Sequence, residues 1–439
     1  MSEGVFGREF LFLAQICRMR NFYIGLSLFL VQTYLTFRGV SHFGKYWNPV
    51  LFFTVSFAIG YFWLKLLTTK KANENLDFTL NADWRRKTFG AFLGMFSMVL
   101  CYEELRKLFV KFSPPGKISD VLPQIETLYI RYNEGVFPYQ PVDVGTHIAY
   151  PVYMPMHWLP VGISQWLDID TRWSGYILLV VAAGIYGYFI FRQNRLLIAQ
   201  ITATLLPSLA LWGFILWGQA DIPVSYELVI AAYYLVLAAG LAGRHVWWVT
   251  TGLILCLLSR YTLVFWLPLF AVLFWQNETF RRNATLWGGV AASIVLLYFV
   301  PFLMKNPMIL SQGIAYHNDA AIAEWKGYGE PPVSWTMEQG IHFAKHLRDV
   351  IGGDVEHQVF VARVIQASAM LILLFAGLWG YRRWRERVNF YDFSLLMLYF
   401  FVLFFYCFGP LTYRYYLIVP LLLSAAISGR IISTIKGRQ

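Results

Sequence analysis

Charge is scarce in this sequence. Only 14% of its 439 residues are Asp, Glu, Lys or Arg, and 58% are hydrophobic. Soluble domains carry roughly 25% charged residues, so a soluble enzyme and a disordered chain are both excluded. Alternation of apolar and polar residues is also lacking, which argues against a transmembrane β-barrel. Cysteine is rare: Cys17, Cys101, Cys256 and Cys407 are the four, and none has CxxC spacing. Neither a disulfide nor a metal site is expected, and the redox compartment is not legible from them. Glu3, Arg8 and Glu9 precede any apolar run, unlike the layout of a cleaved signal peptide. Internal repeats, low-complexity tracts and a separate soluble domain are lacking as well.

Long apolar runs are abundant. Twelve lie near 22–38, 50–67, 88–110, 173–191, 197–217, 223–242, 245–258, 261–275, 286–303, 361–380, 390–408 and 415–429. In lipid such runs must be helices, because an unpaired backbone group costs several kcal/mol there. The expected fold is therefore all-α and polytopic, with about twelve transmembrane helices. The two short runs either side of Ser259-Arg260 are the most interrupted.

The net charge of +11 would suit nucleic acid, but its distribution does not. Basic residues stand in short clusters between apolar runs: Arg8, Arg18 and Arg20; Lys70, Lys71, Arg85, Arg86 and Lys87; Arg192 and Arg195; Arg244; Arg281 and Arg282; Arg382, Arg383, Arg385 and Arg387; Arg430, Lys436 and Arg438. Twelve crossings put all of them on one side, which the positive-inside rule makes cytoplasmic, together with both termini. Two long loops, 111–172 and 304–360, then face outward. The Asn-x-Thr sequons at Asn277 and Asn283 fall inside and are chance. Trp (17) and Tyr (27) are numerous enough for interfacial belts. Residues 1–87 form a two-span extension with a cytoplasmic loop, and residues 88–439 form the main body.

The first outer loop reads Ser119-Asp120-Val-Leu-Pro-Gln124-Ile-Glu126, then Tyr132-Asn-Glu-Gly135-Val-Phe-Pro138-Tyr139, then Tyr150-Pro151-Val-Tyr153-Met-Pro155. Gly218-Gln219-Ala-Asp221 ends the fifth run. Ser259-Arg260-Tyr261 separates two short runs, and Tyr413-Arg414-Tyr415-Tyr416 precedes the last. An acid after a span, a helix, G-x-x-P-Y and Y-P-x-x-x-P resemble the first outer loop of glycosyltransferase family 87. That family belongs to the C-type, polyprenyl-phosphate-sugar-dependent superfamily. Gly218-Gln219 resembles the family's G-Q element, and Tyr413–Tyr416 its last outer turn. Ser259-Arg260-Tyr261 stands where the family has K-x-x-P, with Arg for Lys and the proline missing. The resemblance covers about residues 88–430; the first two spans are an addition to the family pattern.

The resemblance implies transfer of mannose, or another hexose or pentose, from a polyprenyl phosphate to a lipid-linked or envelope glycan. It would occur on the extracytoplasmic face of a bacterial inner membrane. The partners are donor, acceptor and lipid bilayer, with no nucleic acid, no cofactor and no required metal. Asp120 is the expected general base, a role worth about 10²–10⁴ in rate; otherwise it is a solvated loop acid or a cap. Arg260 and Arg414 would hold the departing phosphate, or else snorkel to the interface. Glu126, Tyr139, Tyr150, Gln219, Asp221, Tyr261, His317 and Tyr413 are the further substrate-binding candidates. Against these stand a surface carboxylate at Glu126 and a helix cap at Asp221. Glu103 and Glu104 read as interfacial charges.

Asp168-Ile-Asp170 matches D-x-D, yet it directly precedes a span and reads as capping. His317, His342, His346 and His357 share the second loop, but no Glu follows His342 as H-E-x-x-H requires. Either that loop is an acceptor-binding lid, with Trp325, Tyr328 and Trp335 stacking on sugars, or it is a cap helix packed by its aromatics. Two other classes compete with an enzyme: a transporter of lipid-linked sugar, and a non-catalytic assembly subunit. A transporter would place ionisable groups near the bilayer midplane; here the candidates gather at the outer edge.

Overall fold

The computed structural model describes residues 3–69, 82–113, 119–145, 147–193, 195–329 and 332–433. The clusters at Lys70–Lys71 and Lys436–Arg438 lie outside the described residues, as do the side chains of Arg8, Cys17 and Arg18.

The first helix, α1 (Glu3–Thr68), is a hairpin rather than a rod. A continuous helix of 66 residues would reach about 100 Å at 1.5 Å per residue. Gly44 interrupts it with φ 72°, a left-handed conformation in which only glycine is unstrained. The arms fold back on each other. Gln32 Nε2 donates to Ser56 Oγ at 2.7 Å and Asn48 Nδ2 to the Leu35 carbonyl at 3.1 Å. These arms are the expected runs 22–38 and 50–67.

Next come α2 (Trp84–Val99) and α3 (Tyr102–Lys111), so the run 88–110 is broken near Leu100. The first loop carries α4 (Val121–Asn133), the two-residue strands β1 (Val142–Asp143) and β2 (Ile148–Ala149), α5 (Pro155–Trp158) and α6 (Val161–Leu167). The strands pair antiparallel, Val142 opposite Ala149. Then follow α7 (Arg172–Phe191), α8 (Leu197–Trp217), α9 (Glu227–Ala242), α10 (Val246–Leu257), α11 (Leu267–Asn277) and α12 (Phe280–Ile294). A π-helical stretch, Val295–Leu303, prolongs α12. The second loop holds α13 (Ile309–Lys326), α14 (Trp335–Glu338) and α15 (Ala344–Val350). The chain finishes with α16 (Val355–Trp384), α17 (Phe390–Phe408) and α18 (Ile418–Ser433).

Seven helices among the described residues are long and apolar enough to cross a membrane: Arg20–Thr68, Arg172–Phe191, Leu197–Trp217, Phe280–Leu303, Val355–Trp384, Phe390–Phe408 and Arg414–Ser433. Burial divides them. Every residue of α9 and α18 is buried, so these two form the centre. The outer helices turn large apolar side chains outward, such as Leu296 on the prolongation of α12 and Ile372, Phe375 and Trp379 on α16. Such faces are suited to lipid. α2 and α7 touch through small residues. A Cβ built on Gly94 would lie 2.2 Å from the Ala183 carbonyl oxygen, the close approach typical of helix pairs in lipid.

The fold has two chemically different ends. At one, Arg86 donates to the Arg195 carbonyl at 2.6 Å and Arg192 to that of Gly243 at 3.0 Å. There too the buried Asp392 carboxylate takes Arg244 on one oxygen and Arg430 on the other, each at 2.7 Å. The basic clusters at 85–87, 192–195, 244 and 430 thus share one end. At the other lie the Gly44 turn and both long loops. Lys45 pairs with Glu338 at 2.8 Å, and Tyr46 donates to Asp349 at 2.6 Å.

Candidate active site

The site grows from a break in the helices. α10 ends at Leu257, and Arg260 adopts an extended backbone before the 3-10 turn Tyr261–Phe265. Its guanidinium turns inward and pairs with Glu227, the first residue of α9 and fully buried. It also lies 4.3 Å above the Tyr416 ring, a cation–π arrangement, with the Tyr406 hydroxyl 3.5 Å from Nη1. The second oxygen of Glu227 has no hydrogen-bond partner among the described residues.

α5 supplies the adjoining wall. His157 is buried between the edge of Tyr153, ring centres 4.6 Å apart, and the parallel face of Tyr226 at 6.1 Å. Burial, reinforced by the Arg260 guanidinium, pushes His157 well below its ordinary range, so it is a neutral imidazole. Burial pushes the Tyr153 hydroxyl well above its range. The Asp120 carboxylate, Tyr416 and Glu227 push the same way, and Arg260 opposes them. One phenol thus lies within electrostatic reach of both Asp120 and the Arg260–Glu227 pair, so these groups neighbour the same recessed region around Tyr153. Tyr153, Arg260, Tyr413 and Tyr416 all keep partial accessibility, as walls of such a recess do.

Asp120 stands immediately before α4. Its side chain makes no helix-capping hydrogen bond, which sets aside the cap alternative. The carboxylate accepts from Gln124 Nε2 at 3.2 Å and faces His147 Nε2 at 3.9 Å, with 40% of the side chain exposed. His147 Nε2 also meets the Tyr316 hydroxyl of α13 at 2.9 Å. Asp120 therefore sits where the two long loops are tied together, open to an incoming molecule.

A residue that the sequence reading missed adds a second arginine acting on His317. Arg363, nine residues into α16, is half-buried, and its Nε is buried without a partner. No hydrogen bond or ion pair engages its guanidinium among the described residues. Its charge reaches His317 on α13. Burial, then Arg363 and Arg260, push that imidazole down to about 4. A lone arginine inside the apolar run 361–380 was the available signal. Glu227, inside the run 223–242, was signalled in the same way. His157 carried no signal beyond its neighbours.

The other candidates are distributed around this recess. Arg414 lies two residues from Tyr416 but faces away. Its Nε donates to Asp221 Oδ2 at 2.7 Å, and its backbone N–H to Gln339. Burial pushes the Asp221 carboxyl up despite that partner. Asp221 does not cap α9, whose first residue lies six positions on. Arg414, Gln339, Glu338, Phe37 and Val40 line a separate cavity of about 430 Å³ against the α1 hairpin. Gln219 accepts from Lys111 at 2.9 Å. Tyr413 stacks on Tyr415, ring centres 5.2 Å apart, and burial raises its hydroxyl, with Tyr416, Glu324, Tyr328 and Asp120 adding.

Tyr139 is committed to packing. Its hydroxyl donates to the Tyr153 carbonyl at 2.9 Å and accepts from Trp158 Nε1 at 3.2 Å. It holds the Tyr153 backbone rather than facing the recess. Tyr150 is exposed and Tyr261 half-buried. Glu126 is half-buried, not a surface acid. Burial raises its carboxyl, Thr171 hydrogen-bonds to it, and Asp170 and Arg172 lie near. Both oxygens of Asp170 engage Arg172, at 2.8 and 2.6 Å, and Asp170 also accepts the Arg172 backbone N–H. Glu103 and Glu104 pair on the surface with Arg106 and Lys107.

In the second loop, Trp325 is fully buried with Nε1 donating to the Pro410 carbonyl at 2.6 Å. It packs and offers no stacking face. Tyr328 is exposed, and the Trp335 side chain lies outside those described. His342 is buried and accepts the Ala344 N–H, while His346 packs its edge on Phe343. Asn277 accepts from Tyr381 at 2.6 Å and Asn283 is buried at the basic end.

Comparison with protein-family models, with curated proteins and with solved structures finds no match to this chain.

Proposed function

We propose that the chain is an integral-membrane glycosyltransferase of the C-type, polyprenyl-phosphate-sugar-dependent kind. Twelve crossings are read into it. The count takes each α1 arm, α2–α3 together, α7 to α11, α12 with its π-helical prolongation, and α16 to α18 as one crossing each. Both termini are cytoplasmic in this reading, because the end holding Arg86, Arg192, Arg244 and Arg430 is the basic one. The recess then faces the extracytoplasmic side of a bacterial inner membrane.

The observation that carries the reading is the company Asp120 keeps. An accessible, uncapped carboxylate and Arg260 both act on Tyr153, and Arg260 and Arg363 both act on His317; the Arg363 guanidinium has no ion pair among the described residues. In the proposed step the acceptor hydroxyl attacks the anomeric carbon of the donor sugar. A new carbon–oxygen bond forms as the bond to the phosphate breaks. The acceptor proton passes to Asp120, and the phosphate leaves with both electrons of its bond. Arg363 is the cation best placed to receive that charge, since Arg260 is already paired to Glu227. His317 and His157, both neutral, offer hydrogen bonds without adding positive charge.

A lipid-linked sugar transporter is the competing class. Glu227 and Asp392 open their helices and Arg430 nearly closes α18. This placement at helix ends, away from the middle of the spans, argues against a path through the midplane.

The test is direct. Purified protein is incubated with a panel of labelled polyprenyl-phosphate sugars and lipid-linked acceptors. Turnover with one donor supports the reading. Asp120→Asn should lower it about 10²–10⁴-fold while donor binding persists. Unchanged turnover in that variant removes Asp120 as base, and transport without turnover overturns the class.

A further inference from the structure

At the basic end, remote from Asp120, a second cavity of about 610 Å³ lies between α2, α7 and the start of α10. Its two walls are ordered along their helices. On α2, Lys87, Ala91 and Met95 follow at i, i+4 and i+8, one face of a helix. On α7, Arg192 is succeeded inward by Ile185 and Val181. Lys87 to Met95 spans about 12 Å at 1.5 Å per residue. The basic groups gather at one end of the groove, where His245, preceding α10, adds a third nitrogen-bearing side chain. No carboxylate lines it among the described residues. Val181, 50% exposed, leaves the apolar stretch open toward the surrounding lipid.

We propose that this groove holds one anionic phospholipid, with its phosphate at Lys87, Arg192 and His245 and an acyl chain along Ala91, Met95, Ile185 and Val181. The chemistry matches at both ends. A cationic rim at the end of a membrane helix pairs with a headgroup phosphate, each Lys or Arg contributing about 1 kcal/mol near an anionic surface. The apolar walls take hydrocarbon that a free anion lacks. Charge sets the class: a zwitterionic lipid brings its own cation to a rim that already has the Lys87 and Arg192 cations beside the His245 imidazole. Gly184 keeps the groove open, since a Cβ there would come within 2.8 Å of Met95. The site is independent of the transferase reading.

The experiment uses the whole chain, delipidated in detergent. Binding of phosphatidylglycerol and of phosphatidylcholine with identical acyl chains is titrated by native mass spectrometry. Glycerophosphoglycerol and inorganic phosphate serve as competitors. Phosphatidylglycerol is expected to bind about tenfold more tightly than phosphatidylcholine. Lys87→Gln should weaken phosphatidylglycerol about fivefold and spare phosphatidylcholine. Val181→Trp, on the exposed wall, should weaken both. Arg192 also bonds the Gly243 carbonyl, so it is left in place and thermal midpoints are recorded for both variants. Equal affinity for the two lipids, or an unchanged phosphatidylglycerol affinity in both variants, overturns the proposal. Competition by glycerophosphoglycerol at phosphatidylglycerol-like concentrations overturns it in favour of a free-phosphate site.

Discussion

Two buried charge clusters invite comparison. Asp392 has a guanidinium on each oxygen, Arg244 and Arg430, both at 2.7 Å. Glu227 has one, Arg260, and its other oxygen has no partner among the described residues. Both clusters bury an acid against arginine, and both offset a desolvation cost that unpaired charges would not bear. They differ in what is left over. At Asp392 the acceptor sites are filled and three helix ends are stapled together. At Glu227 the pair is incomplete, tyrosines remain partly accessible, and Arg363, which acts with Arg260 on His317, has no ion pair among the described residues. A filled cluster is architecture; an unfilled one at a cavity has capacity for a ligand.

Substitutions sharpen that contrast. The largest expected effect is on rate, the loss of turnover in Asp120→Asn, with little change in the thermal midpoint because the side chain is exposed and caps nothing. Next is Asp392→Asn, which leaves two buried guanidinium groups short of their counter-ion and should cost about 3–5 kcal/mol of stability. Thermal unfolding in detergent checks it, and a loss under 1 kcal/mol would mean that the cluster is not a staple. Arg363→Met should behave in the opposite way. Stability should hold or rise, since an unpaired charge is removed. Donor turnover should fall about tenfold to a hundredfold, as for loss of a phosphate contact. Equal turnover would place Arg363 outside the reaction.

The last effect is one of pH. Burial, with His346 nearby, pushes His342 down to about 4, below its unfolded value near 6.5. The folded state then binds fewer protons than the unfolded state between those values, so stability is full above about pH 6.5. It falls as pH drops towards 4, by up to about 3 kcal/mol. His317 and His157 shift the same way, so the check is a difference: His342→Asn should flatten only its own share of the acid slope in unfolding midpoints between pH 4 and 7.

Much of the frame was legible from sequence because lipid demands it. The runs 173–191, 197–217 and 390–408 coincide with α7, α8 and α17 to within a residue or two, since few polar residues are tolerated there. Arg260 stood out for the same reason, as a charge between two apolar stretches, while Asp120 stood out through the loop that resembles glycosyltransferase family 87. What stayed hidden depends on contacts distant in sequence. Arg260 and Glu227 are 33 positions apart, Arg414 and Asp221 193; no local pattern announces either pair. Trp325 looked like a stacking platform, yet tertiary packing buries it and Pro410 claims its N–H. Tyr139 reads as part of a motif at a binding loop, and its hydroxyl instead braces the backbone of Tyr153. Arg363 hid in plain composition, one charge within twenty apolar positions.

The central post of the bundle has a consequence for how the molecule is assembled. α18 is buried along its whole length and packs against α1, α8 and α9, all of which precede it in the chain. During synthesis those helices enter the bilayer with the space for α18 still occupied by lipid or by an insertion chaperone. Closure of the bundle, and with it the Arg430 staple on Asp392, waits for residues 418–433. A stop codon just before Ile418 would therefore leave nearly every helix made and the core unbuilt, a product for quality-control proteolysis rather than a shortened but working protein.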